Sequence, residues 1–391
     1  MKKALVFFTC FNDTPGGSEY LPLLLVEELQ QRGCEVTLAL NWRSDVRRAA
    51  DFFGVKIDFS RFKAETVKPK GDFARKIDAI IPFFSTRRLK VLAKDADISI
   101  SAANAVDFGK GAHHFIYLLR TFGDNAFLDF IGHAPPRPLF SRFRQKAKTF
   151  IAESLIRPLL GVRSTRRLLA DGSQTIYPNS IYVDKVMRDF YGPFNGSVFY
   201  PPTTFEFTRT GIKRNPLKVA VLGQVFPEKR VDRMIAIVRR AREITGLDFK
   251  IEIGGALHDT PYVASLKAMA AKEGWIRLLG AKYGAEKEDF LLSATYAIHA
   301  ERDEAFGISV VEYMKAGLIP IVPDEGGTGE VVAKSDLTYR TDEEAASMLA
   351  RLATDAVFRS ECAAHAAERA KAFSRSAYMK RQHELLERIV G

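Results

Sequence analysis

Short apolar runs alternate with amphipathic stretches along almost the whole chain, and the alternation breaks once, near the middle. Residues 4–10 read as a first strand, residues 20–31 as a helix with Leu21, Leu24, Leu25 and Leu29 on one side, and residues 36–40 as the next strand. Gly33 stands where a helix C-terminal glycine is expected. Residues 97–100 and 115–119 supply further strands, and residues 175–177 precede a helix beginning near Tyr182. The rhythm stops over residues 201–216, where Pro201-Pro202, a Thr-rich run, Gly211 and Lys213-Arg214-Asn215-Pro216 read as a linker. A second series follows, with strands at 219–222, 249–253, 276–279, 296–299 and 319–322. Helices are expected over 232–245, 261–272 and 308–316, the last closed by Gly317, and then over 343–353, 355–372 and 376–389.

Strands separated by helices are joined by crossovers rather than hairpins, so they lie parallel with helices on both faces. Two such series predict an α/β chain of two Rossmann-like parallel-sheet domains facing a central cleft: residues 1–205, residues 206–375, and a C-terminal helix over 376–391 able to cross back to the first domain. A length of 391 residues agrees with two cores at about 150 residues each. Functional groups are then expected at the C-terminal ends of strands.

Composition narrows the class. At 47% hydrophobic and 27% charged residues the chain is neither disordered nor fibrous. Cys10, Cys34 and Cys362 are too few and too scattered for a disulfide framework or a thiolate metal site, which suits reduced thiols in the cytoplasm. Met1-Lys2-Lys3 and the apolar run behind it lack a small-residue cleavage site and read as the start of a buried strand. No run reaches the roughly 18 apolar residues of a membrane span, so contact with a membrane would be peripheral, on its cytoplasmic face. Charge is uneven: residues 1–200 carry +10 of the net +11, which points to an anionic partner on that half, such as lipid headgroups or a phosphorylated acceptor.

The densest chemistry runs from Glu304 to Glu312, with seven residues between the two carboxylates, and on to Glu325-Gly326-Gly327-Thr328-Gly329-Glu330. Carboxylates placed before and inside a short helix can accept hydrogen bonds from sugar or ribose hydroxyls. The N–H groups of Phe306, Gly307, Ile308 and Ser309 at the helix start favour an anion such as a diphosphate. Gly307 and the pair Gly16-Gly17 would allow close approach to the backbone, and Gly254-Gly255 ends a strand of the second domain. Neither the G-x-G-x-x-G dinucleotide pattern nor a G-x-x-x-x-G-K-[ST] phosphate loop is present, so a nicotinamide, flavin or other cofactor is not expected. No metal site is expected either.

This segment resembles the donor signature of family 4 glycosyltransferases, retaining enzymes of GT-B fold: Glu, seven residues, Glu, a short helix, then Gly-Gly-x-x-Glu. The resemblance extends over nearly the whole chain. Pro15-Gly16-Gly17-Ser18-Glu19 looks like the family's N-terminal glycine loop, Gly223-Gln224-Val225-Phe226-Pro227-Glu228-Lys229-Arg230 like its phosphate-binding segment, and Tyr177-Pro178-Asn179-Ser180 and Tyr200-Pro201-Pro202 like the approach to the linker. Ala297-Ile298-His299-Ala300 before Glu304, with Phe306-Gly307-Ile308 after it, is most similar to mannosyltransferases of the asparagine-linked glycosylation type.

The resemblance implies that Glu304 holds the donor sugar, that Glu312 holds the nucleotide ribose and that Lys229 neutralises the departing diphosphate. Gln224, Arg230, His299 and Glu330 would border the donor, which is GDP-mannose or a UDP-sugar, and the acceptor would be a glycan or a lipid-linked glycan. Two positions depart from the family: Gln224 replaces the usual arginine, and Arg120 stands where a histidine often follows the strand over 115–119. Arg120 and Asp124 lie at the productive end of that strand as further candidates, whereas His113 and His114 lie at its beginning and read as structural.

Two basic stretches could face a membrane or acceptor. One carries Arg142, Arg144, Lys146 and Lys148 beside apolar residues at helical spacing, and the other carries Arg87 and Arg88. Single-strand nucleic-acid platforms interleave aromatics with bases, which these stretches do not, so no nucleic acid is expected. A different GT-B enzyme, such as a sugar-nucleotide epimerase, and a noncatalytic carbohydrate-binding or nucleic-acid-binding protein remain as alternatives.

Overall fold

The computed structural model describes residues 1–12, 17–68, 81–117, 127, 130, 155, 157–203 and 205–391. The chain forms two compact units, Met1–Thr204 with Tyr378–Gly391, and Phe205–Ala377.

The first unit is built on strands β1 (Lys3–Phe8), β2 (Glu35–Leu40), β3 (Phe62–Thr66), β4 (Ile98–Ser101), β5 (Ala112–Ile116) and β6 (Gln174–Pro178). They form one sheet in the order β3-β2-β1-β4-β5-β6, every pair parallel. β1 is buried without interruption from Ala4 to Phe8, as expected of a central strand covered on both faces. The helix Tyr20–Gln31 differs from its sequence reading: it is buried almost all round, including Glu27 and Glu28. The reason is a second covering element. The C-terminal helix Arg375–Val390 enters this unit at Tyr378, places Leu385 and Leu386 in the core, and donates from the Gln382 amide to the Leu24 carbonyl at 2.9 Å. The buried carboxylates are satisfied: Glu27 accepts the Lys56 N–H at 2.8 Å, and Glu28 pairs with Arg32 at 3.0 Å and contacts His383 at 2.9 Å.

The second unit repeats the plan with β7 (Lys218–Leu222), β8 (Lys250–Gly254), β9 (Ile276–Gly280), β10 (Tyr296–Ile298), β11 (Ile319–Pro323) and β12 (Thr338–Tyr339) in the order β12-β11-β10-β7-β8-β9, again all parallel. In each unit the chain walks outward over three strands, returns to the centre and walks to the other edge. The reversal leaves a switch point beside the first strand, between β1 and β4 and between β7 and β10, where backbone connections diverge and a ligand can enter at the C-terminal edge.

Several elements were not legible from pattern. The helices Val46–Phe53, Ile81–Lys94, Gly284–Leu292 and Gly327–Val332 and the edge strands β3 and β12 were not expected. β5 lies three residues earlier than the strand expected over 115–119, so His113 and His114 sit inside it. Among the described residues no helix is long and apolar enough to cross a membrane.

Candidate functional site

The second unit gathers its polar groups around the switch point of its own sheet. β7 runs through Gly223, Gln224, Val225 and Phe226 into a single turn, Pro227–Lys229, and Arg230 starts the helix Val231–Thr245 from a left-handed conformation with φ 53°. Beside it, β10 leads through His299, Glu301 and Glu304 to the helix Ile308–Lys315. Lys229 Nζ lies 2.6 Å from Glu301 Oε2 and 2.5 Å from Glu304 Oε2, and His299 Nε2 lies 3.7 Å from that same Glu304 oxygen.

Local packing explains why these side chains are held there. The Tyr339 hydroxyl donates to the His299 carbonyl at 2.6 Å, and the His299 N–H donates to the Ile321 carbonyl at 3.0 Å. Gly327 donates its N–H to the Glu304 carbonyl at 2.8 Å. A Cβ at Gly326 would come within 2.4 Å of the Arg302 carbonyl oxygen, and one at Gly327 within 2.3 Å of that of Ala305. The Gly-Gly pair therefore lets the helix Gly327–Val332 press against the loop that carries Glu304. On the other side the Leu222 N–H donates to the Tyr313 hydroxyl at 2.6 Å, tying the helix that follows Glu304 to the end of β7.

Burial alone would discharge these groups, and their mutual charge prevents it. Desolvation opposes the Lys229 ammonium, but the Glu304 and Glu301 carboxylates outweigh it and raise its pKa above the ordinary lysine value. Desolvation likewise opposes the Glu304 carboxylate, and Lys229, helped by His299, outweighs it and holds its pKa below the ordinary value. At His299 burial wins: with Lys229 acting in the same direction it outweighs the Glu304 charge and pushes the imidazole down to about 4, so it is neutral at pH 7. It is 4% exposed and its Nε2 makes no hydrogen bond. The cluster thus holds one ammonium against two carboxylates. His299, Glu301 and Glu304 each offer a ligand atom within 4.8 Å of the others and are the described residues able to hold a metal ion. Lys229 already supplies a positive charge against both carboxylates.

The other expected donor residues of the second unit stand on its strand ends, loops and helices. Glu312 is buried in the helix Ile308–Lys315 with Lys287 Nζ 2.6 Å from its carboxylate. Gln224 and Arg230 are exposed, Gly254 ends β8, and Ile308 and Glu330 are half-buried at the starts of their helices. Gly255 brings two strand ends together, since a Cβ there would lie 1.7 Å from the Gly223 carbonyl oxygen. The Phe306 ring is 2% exposed and packs edge-on against Phe373 at 5.6 Å, so it is a core residue. Gly307 has φ 95°, and its missing Cβ would be 2.7 Å from Thr328 Cγ2, so the fold itself requires glycine there, without any ligand.

In the first unit Gly17 opens the turn Gly17–Glu19 after β1. Arg87 and Arg88 are exposed on the helix Ile81–Lys94, with Arg88 3.2 Å from Glu65. Gly16, Arg120, Asp124, Arg142, Arg144, Lys146 and Lys148 lie outside the described residues. Sequence reasoning missed Glu301, although it stands three residues before Glu304, because nothing in the spacing says that a third carboxylate turns toward Lys229.

Comparison with known proteins gives this geometry a setting. Residues 203–373 match the family model described as glycosyl transferases group 1. A GDP-Man:Man(3)GlcNAc(2)-PP-Dol alpha-1,2-mannosyltransferase of Candida glabrata is 29% identical over 165 residues, which are 38% of this chain and 32% of that protein. The chain thus aligns with about a third of the length of that curated relative. Among solved structures, WaaG, a glycosyltransferase involved in lipopolysaccharide biosynthesis, superposes with a TM-score of 0.67 at 14% identity, covering 99% of this chain and all of that one. HepE of Anabaena in complex with UDP-glucose superposes with a TM-score of 0.66 at 14% identity and the same coverage. Residues 203–373 are thus a glycosyl transferases group 1 domain, in a chain that has the GT-B fold along its length.

Proposed function

We propose that this protein is a retaining glycosyltransferase of the family 4 type, moving a sugar from a nucleoside diphosphate to a glycan or lipid-linked acceptor. The observation that carries this reading is the Lys229–Glu304 pair at the switch point of the second unit, inside the matched domain. Breaking the bond between the anomeric carbon and the diphosphate oxygen leaves the electron pair on the diphosphate. A fixed ammonium in a partly dry site stabilises that charge without reorganising at the moment of reaction. Lys229 takes this role. Glu304 accepts hydrogen bonds from the donor sugar hydroxyls, Glu312 from the ribose, and the start of the helix Ile308–Lys315 faces the phosphates. Gln224 bonds phosphate without adding charge, and His299, neutral at pH 7, lines the sugar pocket. The new bond forms from an acceptor hydroxyl to the anomeric carbon on the face the diphosphate leaves, and the hydroxyl proton departs with the diphosphate. No protein nucleophile is required.

The donor is GDP-mannose or a UDP-sugar. The named Candida glabrata relative favours the first and the HepE complex shows that this fold accommodates the second. The first unit, which carries the excess positive charge, holds the acceptor and lies peripherally on the cytoplasmic face of an anionic membrane.

Thermal unfolding in the presence of GDP, UDP, GDP-mannose and UDP-sugars tests the donor site. A ligand at about 100 times its dissociation constant adds about 2.7 kcal/mol. Selective stabilisation by one base is expected, followed by release of that nucleoside diphosphate when acceptor glycans are added. No stabilisation by any of them would overturn the reading.

A further inference from the structure

Glu301 has no place in the donor chemistry just described, yet it is the most deeply buried carboxylate of the cluster. Its side chain is 6% exposed, against 21% for Glu304, and its Oε2 lies 2.6 Å from Lys229 Nζ. Glu304 can turn to sugar hydroxyls when a donor arrives. Glu301 sits deeper, with its Oε2 against the same ammonium.

We infer that Glu301 is a positioning residue that competes with the donor's diphosphate for Lys229, weakening the grip on the nucleotide so that the spent diphosphate can leave. The inference rests on the reading of Lys229 as the diphosphate partner. Its basis is geometry. Both Glu301 and Glu304 reach the Lys229 ammonium, at 2.6 and 2.5 Å, and Gln224 is an uncharged neighbour on the same strand end. A diphosphate approaching this edge meets an ammonium already engaged by two carboxyl groups. To bind Lys229 it must compete with the contact to Glu301, which burial holds in place. A neutral residue at 301 would leave Lys229 tethered by Glu304 alone and free its charge for phosphate. A carboxylate too deep to be traded away keeps that charge shared throughout the cycle, which favours release over retention.

The test measures nucleoside diphosphate affinity by calorimetric titration of GDP and UDP into the full chain, comparing wild type with Glu301→Gln, Glu301→Asp, Lys229→Met and the Glu301→Gln/Lys229→Met double variant. Glu301→Gln is expected to bind the preferred diphosphate about tenfold tighter, about 1.4 kcal/mol, and to show correspondingly stronger product inhibition. Glu301→Asp keeps the charge and stays near wild type. In the Lys229→Met background the gain from Glu301→Gln falls below about twofold, because the effect runs through Lys229. Damage to the fold does not tighten binding, so the direction separates this role from a structural one. Where Glu301→Gln fails to fold, Glu301→Ser, neutral and smaller, is held to the same expectation. Unchanged or weaker diphosphate binding in a folded neutral variant overturns the inference, as does an equal gain with and without Lys229. If wild type binds neither diphosphate, the donor reading itself fails and takes this inference with it, an outcome visible before any variant is made.

Discussion

Lys229 and Glu304, 75 residues apart in the chain, meet with Nζ 2.5 Å from Oε2. One follows β7 and the other follows β10, and these parallel strands are neighbours only because the order in which the chain lays down strands reverses at β10. The pair is held where charge would develop in the proposed reaction, and both partners keep their charge because each offsets the other's desolvation.

Replacing either partner should therefore cost catalysis. Glu304→Ala and Lys229→Ala are each expected to lower turnover by about two to three orders of magnitude, the usual cost of removing a group that stabilises developing charge. Circular dichroism should show both variants folded. A folded Glu304→Ala enzyme with full turnover would remove Glu304 from the site.

The glycines beneath the Glu304 loop carry a separate expectation. Gly327→Ala puts a methyl within 2.3 Å of the Ala305 carbonyl oxygen, which forces the loop and the helix Gly327–Val332 apart. Overpacking of this kind costs about 1–3 kcal/mol, and Glu304 moves with its loop. Urea titration should show the lost stability and donor titration a weakened affinity. Wild-type values in both would mean that the contact relaxes without consequence.

Asp107 anchors the first unit. Its carboxylate, 1% exposed, is 2.7 Å from Lys90 Nζ and 2.8 Å from Arg163 Nη2, and it also accepts the Arg163 and Gly109 N–H groups at 2.8 and 2.9 Å. Burial opposes its charge, but the bonds from Arg163 and Lys90 outweigh burial and hold its pKa at about 2. Asp107→Ala leaves two cations short of their partner and is expected to cost about 3–5 kcal/mol in urea denaturation. A loss under about 1 kcal/mol would show that Asp171, which also pairs with Arg163, compensates.

Acid should destabilise the protein well above the carboxylate range. His114 is fully buried and bonds Gln174 Oε1 through Nε2 at 2.9 Å, while the Gln174 amide nitrogen donates to the Lys110 carbonyl at 3.1 Å. The imidazole therefore donates from Nε2, and its Nδ1 makes no hydrogen bond. Burial pushes the pKa of His114 down to about 4, and it does the same at His113 and His299. A folded pKa below the unfolded value means that the unfolded chain takes up protons first, so stability is complete above about pH 6.5 and is lost as pH falls toward 4. For His114 alone the loss amounts to about 3 kcal/mol. Below about pH 4 the carboxylates of Asp107 and Glu304 add to the loss, their folded pKa values being depressed. Melting temperatures measured from pH 7.5 to 4 should fall through this window, and a flat profile down to pH 5 would contradict the burial argument.

The basic stretch over residues 142–148 is testable with vesicles. Neutralising Arg142, Arg144, Lys146 and Lys148 should weaken binding to anionic vesicles by about 1 kcal/mol per residue engaged at the surface, with little change on neutral vesicles. Identical sedimentation with both lipids at low salt would remove the membrane from the proposal.

The sequence alone determined the local order of the chain and part of its site. The helix Tyr20–Gln31 was legible to its ends because leucines recur at helical spacing between turn residues, and the strands of the second unit other than β12 because apolar runs are bounded by Gly, Pro and charge. Glu304 and Glu312 stood out because residue type and spacing are local properties, and Lys229 only because its segment resembles a family motif. Strand order, and with it the meeting of Lys229 with Glu304, was decided only by the tertiary structure: which strands become neighbours depends on how two sets of helices cover both faces of one sheet. The same holds for Glu301, whose partner is distant in sequence, and for the two histidines inside β5, where neighbours' packing overrode the polar signal that had placed the strand three residues later. It holds as well for Gly307, Gly326 and Gly327, since a missing Cβ acquires meaning only when another element occupies the space beside it.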